Sequence, residues 1–289
     1  MKVLAIVSSA RKVGNSEILA KEMLAALPDS VEKKMLRLED FRIEPCRACY
    51  ACLTSGKDCI IPDDLASVLH EIQEADAIIL ASPVYFLGMH TRLKLLCDRL
   101  ISVMNEGEKY AGRRCVVAVP YGVADWQGYG VEATVSVARF LHLDVVGVLP
   151  VRAANPGEAV RPEILGRARE LAGRLLSADA ASPDSGDATA VVRQSTEVDD
   201  IACPVCGSGI LRISTDGGLR CAICGTIGNL RATPAVTAME LQPAWTATEH
   251  FRYSAAGMAE HARRLEAIKA DFMSHRQELL MLRKPYRDT

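Results

Sequence analysis

KVLAIVSSARKVGNS, residues 2–16, runs from an apolar stretch directly into a loop of small and polar residues. Its first eight residues predict a buried β-strand, because short continuous apolar runs are typical of strands covered on both faces. A helix is predicted from about Ser16 to Leu27, where Pro28 ends it. The loop between them therefore opens a helix, whose unpaired backbone N–H groups favour an anionic ligand.

The alternation of strand and helix continues to about residue 176. Further strands are predicted at 31–38, 75–85, 114–122 and 144–151, and further helices at 63–73, 89–104, 131–141 and 162–176. Such an order predicts an α/β fold, a parallel sheet with helices on both faces. Five strands fit a flavodoxin-like five-stranded parallel sheet of order 2-1-3-4-5.

Composition divides the chain into a flavodoxin-like domain, a small and polar linker, a compact cysteine module and a tail. The domain carries a cysteine-rich loop at 44–64, called the cysteine loop below. The tail contains a predicted C-terminal helix at 254–283, whose apolar residues repeat at three- and four-residue steps. That apolar face must be buried on the same subunit or on a second one. The predicted bounds of the four parts are 1–177, 178–200, 201–230 and 231–289.

Charge and hydropathy exclude several classes of partner. The 289 residues have a net charge of −2, which gives no general attraction to nucleic acid or to an anionic membrane. No apolar run reaches the roughly 18 residues of a membrane helix, and the apolar start is too short for a signal peptide. We therefore expect a cytoplasmic protein, in which clustered cysteines bind metal or do redox work more often than they form disulfides.

Two later loops are predicted to meet the first one. Loop 82–89 follows the third strand, and loop 119–132 follows the fourth. Ligands of open parallel sheets bind at the carboxyl ends of strands, where the strand order reverses. By itself, loop 8–16 is either a phosphate site or an ordinary turn capped by Asn15 or Ser16. Three such loops on one edge favour a ligand site.

SSARKVGNS, residues 8–16, resembles the phosphate loop of the NAD(P)H-dependent FMN reductases. ASPVYFLGMHTRLKLLCDRL, residues 81–100, is similar to that family's Pro-x-Tyr loop, glycine and following helix with Leu-Lys and Asp-Arg. The resemblance covers residues 1–176 and implies a bound FMN. The implied phosphate contacts are Ser9, Arg11, Asn15 and Ser16, with Gly14 allowing the tight turn. The implied lining of the ribityl chain and ring is Pro83, Val84, Tyr85, Phe86 and Gly88, with Gly122 on the other side.

Four cysteines in the cysteine loop have the spacing C-x2-C-x2-C-x6-C: Cys46, Cys49, Cys52 and Cys59. Ferredoxins use a compact C-x2-C-x2-C run for an iron–sulfur cube, whereas zinc sites usually pair two knuckles across a longer gap. The spacing favours a [4Fe–4S] cluster, with cluster-free thiols or another metal as open alternatives. The loop, with its cysteines followed by the acidic pair Asp63 and Asp64, also resembles the iron–sulfur flavoproteins, which implies a cluster close to FMN.

A second set of cysteines forms two C-x2-C knuckles separated by fourteen residues: Cys203, Cys206, Cys221 and Cys224. Four thiolates in this layout predict a tetrahedral metal site. The segment resembles a zinc ribbon and, more loosely, rubredoxin. Zn²⁺ is favoured, and iron is the main alternative. Scattered arginines give no nucleic-acid surface, so a docking or dimer-forming role is the simpler interpretation.

The resemblances imply an FMN-dependent oxidoreductase of the iron–sulfur flavoprotein type, which transfers electrons between FMN, a [4Fe–4S] cluster and an unknown acceptor. The alternatives are a cluster-free NAD(P)H-dependent FMN or quinone reductase, and a non-catalytic electron carrier or metal-dependent assembly module. Expected partners are further copies of the chain, in a dimer or tetramer, and ferredoxin or NAD(P)H as electron donor. No catalytic acid–base residue is identified: Tyr85, His90, Tyr121 and Tyr129 lie near the predicted flavin, but a packing or surface role is simpler for each.

Overall fold

The computed structural model describes residues 1–53, 58–124, 126–177, 201–234, 239–246 and 252–282. The predicted linker, 178–200, lies outside the described residues, and so do residues 54–57 of the cysteine loop. Within the described part of the chain, no helix is both long and apolar enough to cross a membrane.

A five-stranded parallel sheet forms the centre of the first 177 residues. Its strand order is β2-β1-β3-β6-β7, which confirms the predicted flavodoxin-like order. In chain order the strands are β1 (Lys2–Val7), β2 (Glu32–Arg37), β3 (Ala77–Ala81), the short β4 (Val84–Tyr85) and β5 (Gly88–Met89), β6 (Arg114–Tyr121) and β7 (Asp144–Arg152). The helices are α1 (Asn15–Ala25), α2 (Leu65–Gln73), α3 (Thr91–Arg99), α4 (Gly130–Phe140) and α5 (Pro162–Gly173).

Helices cover both faces of this sheet because its strands are apolar on both sides. In β1, Leu4 and Ile6 belong to the core shared with α2, α3 and α4. Val3, Ala5 and Val7 point the other way and belong to the core shared with α1 and α5. The alternation follows from the two-residue repeat of a strand, and it fixes the carboxyl ends of the strands at one edge.

Two predicted elements end earlier than the sequence indicates. The strand predicted at 75–85 ends at Ala81, because Pro83 has no N–H for a ladder and the chain turns into the β4–β5 hairpin. The helix predicted at 89–104 begins after His90, whose Nδ1 accepts a hydrogen bond from the Arg92 N–H at 3.3 Å. It continues past Arg99 only as a 3-10 turn, Leu100–Val103.

A second, antiparallel sheet contains the knuckle cysteines. Its order is β11-β10-β9-β8, and its strands are β8 (Leu211–Ile213), β9 (Gly218–Cys221), β10 (Ile227–Pro234) and β11 (Met239–Thr246). The sheet thus continues to residue 246, and residues 201–246 are called the ribbon below. The last element is the helix α6 (Ala255–Leu282).

Candidate functional site

A cleft with a cavity volume of about 200 Å³ opens at the carboxyl ends of β1, β3, β6 and β7. It brings together nine of the eleven residues predicted to bind a flavin, and only Phe86 and Gly88 do not line it. Four lining residues were not among those predicted: Pro120, Tyr121, Ala153 and Ala154. The last two directly follow the predicted fifth strand, and that position at the same sheet edge is the signal that would have indicated them. The complete lining is Ser9, Arg11, Gly14, Asn15, Ser16, Pro83, Val84, Tyr85, Pro120, Tyr121, Gly122, Ala153 and Ala154.

The start of α1 supplies the polar end of the cleft. The Ser16 hydroxyl is buried and has no hydrogen-bond partner among the residues described. Buried hydroxyls are rarely left unpaired, and this one lies where the helix presents its free N–H groups. A Cβ on Gly14 would stand 3.1 Å from the Arg11 Cβ, so the turn closes tightly there. These residues fit a phosphate group with charged oxygens.

The Glu17 side chain stabilises this turn through a hydrogen bond to its backbone. Its buried carboxylate accepts a hydrogen bond from the Val13 N–H at 2.9 Å and an ion pair from Lys21 at 2.6 Å. Burial raises the pKa of the Glu17 carboxyl, but the bonds from Lys21 and Val13 outweigh it, and the pKa falls below its usual value. Val13 has φ of 53°, an uncommon conformation outside glycine, which the Glu17 contact supports.

The Asn15 side chain, which lines the cleft, is also hydrogen-bonded to the loop after β7. Its amide nitrogen donates to the carbonyl oxygens of Ala153 and Asn155 at 3.0 and 2.9 Å. Its amide oxygen accepts from the Ala159 N–H at 3.2 Å. The Asn15 side chain therefore fixes the wall of the cleft after β7.

The β4–β5 hairpin and the loop before α4 form one rim beside the cleft. The two turn residues, Phe86 and Leu87, both have positive φ, 47° and 66°, as in the turn type that usually takes Asn-Gly. The Tyr129 N–H donates to the Leu87 carbonyl oxygen at 2.8 Å. A Cβ on Gly128 would lie only 2.4 Å from the same oxygen, so glycine is needed for the close approach.

Aromatic side chains line the outside of this rim. Phe86 is fully exposed, and Tyr85, Trp126 and Tyr129 are each about half exposed or more. The Tyr85 and His90 rings meet edge to face with centroids 5.0 Å apart. Burial lowers the pKa of His90, so its imidazole is neutral near pH 7. This neutral ring caps α3 and packs against Tyr85, which agrees with the simpler interpretation of His90.

The cysteine loop holds its thiols apart rather than around a single point. Cys49 is exposed, and Cys46, Cys52 and Cys59 are partly buried. No three of these four sulfurs, all of which are described, lie within 4.8 Å of one another. A single zinc ion with bonds of about 2.3 Å needs closer thiolates, whereas a four-iron cube holds its ligands farther apart. The described sulfurs of this loop therefore do not form a compact four-thiolate site like the one in the ribbon.

The backbone of the cysteine loop is strained between the cysteines. Ala48 and Tyr50 have φ of 48° and 54°, and each follows or precedes a cysteine by one or two residues. Residues other than glycine adopt this conformation at a cost, and such strain concentrates at functional sites. Burial raises the pKa of the Cys52 thiol, and the neighbouring Cys59 raises it further.

A buried ion pair that the sequence analysis missed joins the two ends of the cysteine loop. The Arg99 side chain is completely buried, and its Nη1 donates to Asp63 Oδ2 at 2.6 Å. Its Nη2 donates to the Cys59 Sγ at 3.2 Å. The Asp-Arg pair of the family-like helix contains Arg99, but only the tertiary structure identifies its partners.

The first part of α6 covers the cysteine loop. Met258, Ala262 and Leu265 are buried in one cluster with Leu53 and Met104. The Lys269 ammonium donates to the Tyr50 carbonyl oxygen at 3.2 Å. His261 of this helix is exposed. Beyond Leu265 the apolar side chains of Ile268, Phe272, Met273 and Met281 are exposed.

The four ribbon cysteines form a compact site that fits a single metal ion. All four are buried, and all four sulfurs lie within 4.8 Å of one another. The Sγ atoms of Cys203 and Cys224 are 3.4 Å apart, as are those of Cys206 and Cys221. Gly207 and Gly225 close the two knuckles with positive φ. This is the donor set of a structural tetrahedral site.

The ribbon connects α4 to α6. Its Cys206, Ser208 and Ile223 face Val131 and Val135 of α4. Burial raises the pKa of Glu132, which lies at this contact. On the other side, Arg252 Nη1 donates to the carbonyl oxygens of Ala222 and Ile223, both at 2.9 Å, just before α6 begins. The second knuckle therefore positions the start of α6.

Comparisons with known proteins agree with this geometry. The family model described as NADPH-dependent FMN reductase matches residues 1–154. An iron–sulfur flavoprotein of Methanocaldococcus jannaschii is 43% identical over 100 residues, 34% of this chain and 51% of that protein. An iron–sulfur flavoprotein of Archaeoglobus fulgidus is 31% identical over 186 residues, 62% of this chain and 80% of that protein. The first of these matches thus spans only about half of the relative's length.

A solved structure, a flavone reductase, has a similar fold. It aligns with 100% of this chain and 97% of its own length, with a TM-score of 0.74 and 18% identity. The matched family model covers the cleft, the rim and the cysteine loop. The chain belongs to the NADPH-dependent FMN reductase family.

Proposed function

We propose that the chain is an FMN-dependent oxidoreductase that passes electrons between FMN in the cleft, a [4Fe–4S] cluster on the cysteine loop and an external acceptor. The observation that carries the proposal is the unpaired, buried Ser16 hydroxyl at the helix N-terminus of a cleft lined by nine predicted flavin residues. When bound, FMN exchanges one or two electrons and the cluster exchanges one. NAD(P)H or ferredoxin is the proposed donor, to be distinguished by reduction of the purified protein with each.

The chain's own residues bind and orient these groups. Ser9, Arg11, Ser16 and the backbone N–H groups at the start of α1 bind the phosphate. Pro83, Val84 and Tyr85 wall one side of the cleft, and Tyr121 and Gly122 wall the other. Cys46, Cys49, Cys52 and Cys59 are the proposed cluster ligands, supported by their spacing and by the strained backbone between them.

A structural Zn²⁺ in the ribbon is part of the same proposal. Four buried thiolates fit this ion. A redox role for the ribbon would need iron at this position instead, and metal analysis of purified protein distinguishes zinc from iron.

The exposed half of α6 supports assembly into a dimer or tetramer, because an apolar helix face needs a cover. Light scattering of the full chain tests the assembly, and a monomer would contradict it.

The cluster is tested by replacing Cys52 with serine. Anaerobically reconstituted wild-type protein is expected to bind FMN and about four irons with sulfide beyond the ribbon metal, as the cubane requires. Cys52→Ser should lose that iron and sulfide and keep FMN, because the cleft is built by other loops. Cys97→Ser, a cysteine on α3 outside both clusters, is the matched control. Less than one iron beyond the ribbon in the wild type would make the cubane assignment wrong.

The flavin site is tested by replacing Arg11 with alanine. The change removes a charge-assisted hydrogen bond to phosphate, worth about 1.5–3 kcal/mol, so FMN should bind about ten- to hundred-fold more weakly. Titration of apoprotein with FMN, followed by flavin fluorescence, measures the affinity. Lys12→Ala is the control, because Lys12 is a neighbouring exposed cation that does not line the cleft. Equal affinities for the wild type and Arg11→Ala would contradict the assignment.

A further inference from the structure

Arg99 lies at the last turn of α3, where its guanidinium is enclosed by the two ends of the cysteine loop. The exposed fraction of its side chain is 0%, and that of its partner Asp63 is 1%. Nη1 donates to the Glu44 carbonyl oxygen at 2.7 Å and to Asp63 Oδ2 at 2.6 Å. Nη2 donates to Asp63 Oδ1 at 3.2 Å and to the Cys59 Sγ at 3.2 Å. One side chain thus contacts both ends of the loop that holds the predicted cluster ligands.

Asp63 extends these contacts to the backbone. Its Oδ2 accepts from the Glu44 N–H at 2.8 Å, and its Oδ1 accepts from the Leu65 N–H at 3.2 Å. The Arg99–Asp63 pair therefore joins three parts of the chain. These are Glu44, two positions before Cys46, then the fourth cysteine, Cys59, and Leu65 at the start of α2. A buried ion pair is costly unless its remaining donors and acceptors are also paired. Here the network satisfies nearly all of them, and Arg99 Nε is the one nitrogen of the guanidinium left without a partner within the described residues.

The orientation of the pair puts its positive end on the sulfur. The Arg99–Asp63 pair is neutral as a whole, but the group that contacts Cys59 is a guanidinium N–H. The two carboxylate oxygens accept hydrogen bonds from Arg99 and from the Glu44 and Leu65 N–H groups instead. An iron–sulfur cluster gains one negative charge when it accepts an electron, and hydrogen bonds to its sulfurs stabilise that charge. Partners of metal ligands also fix the ligands in place.

We infer that Arg99 is a positioning residue for the cluster, which holds Cys59 as the fourth ligand and raises the reduction potential through its N–H···S bond. The inference rests on the proposed function, because it needs a cluster on the cysteine loop. The inference gives both roles, holding the ligand and tuning the potential, to Arg99, which lies outside the cysteine motif and more than thirty positions after it. It also distinguishes Cys59, which Arg99 contacts, from the three closely spaced cysteines.

The experiment compares full-length Arg99→Gln and Arg99→Lys with wild type after anaerobic reconstitution. Glutamine removes the charge, and lysine keeps the charge but lacks the planar fork that reaches Cys59, Glu44 and Asp63 together. Midpoint potentials come from redox titration followed by electron paramagnetic resonance. We expect the potential of Arg99→Gln to fall by about 59 mV or more, a tenfold change for one electron, with Arg99→Lys in between. In both variants, release of Cys59 should raise the fraction of three-iron cluster, seen as its signal in the oxidised protein.

Arg113→Gln is the matched control. Arg113 is a partly buried arginine whose hydrogen bonds among the described residues all go to backbone carbonyl oxygens, those of Gln73, Ala75 and Lys109. Its loss should leave the potential and the iron content as in the wild type. If Arg99→Gln does not fold, Arg99→Lys decides by the same two measurements.

The possible outcomes distinguish the role of Arg99 from the cluster of the proposed function. A wild-type protein with a cluster, and Arg99 variants with four irons at the wild-type potential, would overturn the role of Arg99 and leave the proposed function intact. A wild-type protein that takes up no iron beyond the ribbon would overturn the cluster of the proposed function, and the inference with it. A fall in potential in the Arg99 variants but not in Arg113→Gln supports both.

Discussion

Replacing Cys206 with serine is expected to release the ribbon metal, unfold the ribbon and free the first turns of α6. Structural zinc contributes on the order of 10–16 kcal/mol of apparent binding free energy in small domains, as much as the whole stability of a typical protein. The core of the ribbon consists largely of its four cysteines, so little else holds it. Metal analysis and hydrogen exchange over residues 255–265 measure the two effects.

Freeing the first turns of α6 should also destabilise the cysteine loop, because Met258, Ala262 and Leu265 of this helix cover Leu53. Amides near residues 50–53 are therefore expected to exchange faster in Cys206→Ser, whereas those of β1 and β3 should be unchanged. Cys97→Ser supplies the control for a cysteine lost outside the ribbon. Wild-type protection of α6 in the metal-free variant would show that the ribbon does not position this helix.

Replacing Asp63 with alanine is expected to lower the free energy of unfolding by about 3–5 kcal/mol, since it leaves the buried Arg99 charge without its partner. Burial raises the pKa of the Asp63 carboxyl, but the bonds from Arg99 and from the Glu44 N–H lower it below its usual 3.8. The stabilisation is therefore present above pH 3.8 and is lost as the pH falls through the lower folded-state pKa. Urea unfolding at neutral and acidic pH measures both effects.

Asp64→Ala is the control for this variant. Asp64 is the adjacent aspartate, is exposed and accepts one hydrogen bond from the Arg42 N–H at 2.7 Å. Its loss should cost about 1 kcal/mol, as for a single hydrogen bond. Equal costs for the two aspartates would mean that the Arg99–Asp63 pair contributes no more than an exposed contact.

The sheet and both cysteine sets could be predicted because their signals are local. The apolar runs of β1 and β3 show in a window of a few residues, and so does the spacing of Cys203 and Cys206. The β4–β5 hairpin was missed, because Phe86 and Leu87 are not residues that usually form its turn. Their positive φ values are imposed by the contact with the loop before α4.

Roles that depend on distant contacts were not predictable. Arg99 reads as a charged residue near the end of an amphipathic helix, and its partners Cys59, Asp63 and Glu44 are 36 to 55 positions away. Asn15 reads as a phosphate ligand, but its amide binds residues about 140 positions later. Periodicity gives the apolar face of α6 only approximately, and it does not indicate which surface the face covers.

The contact between α6 and the cysteine loop has a consequence for biosynthesis. Lys269 and Tyr50 are 219 positions apart, and a ribosome adds about 5–20 residues per second. The segment around Tyr50 is thus synthesised on the order of 10–40 s before the helix residues that contact it. For the proposed cluster, iron and sulfide have their easiest access to this loop during translation, before α6 packs against Leu53 and Tyr50.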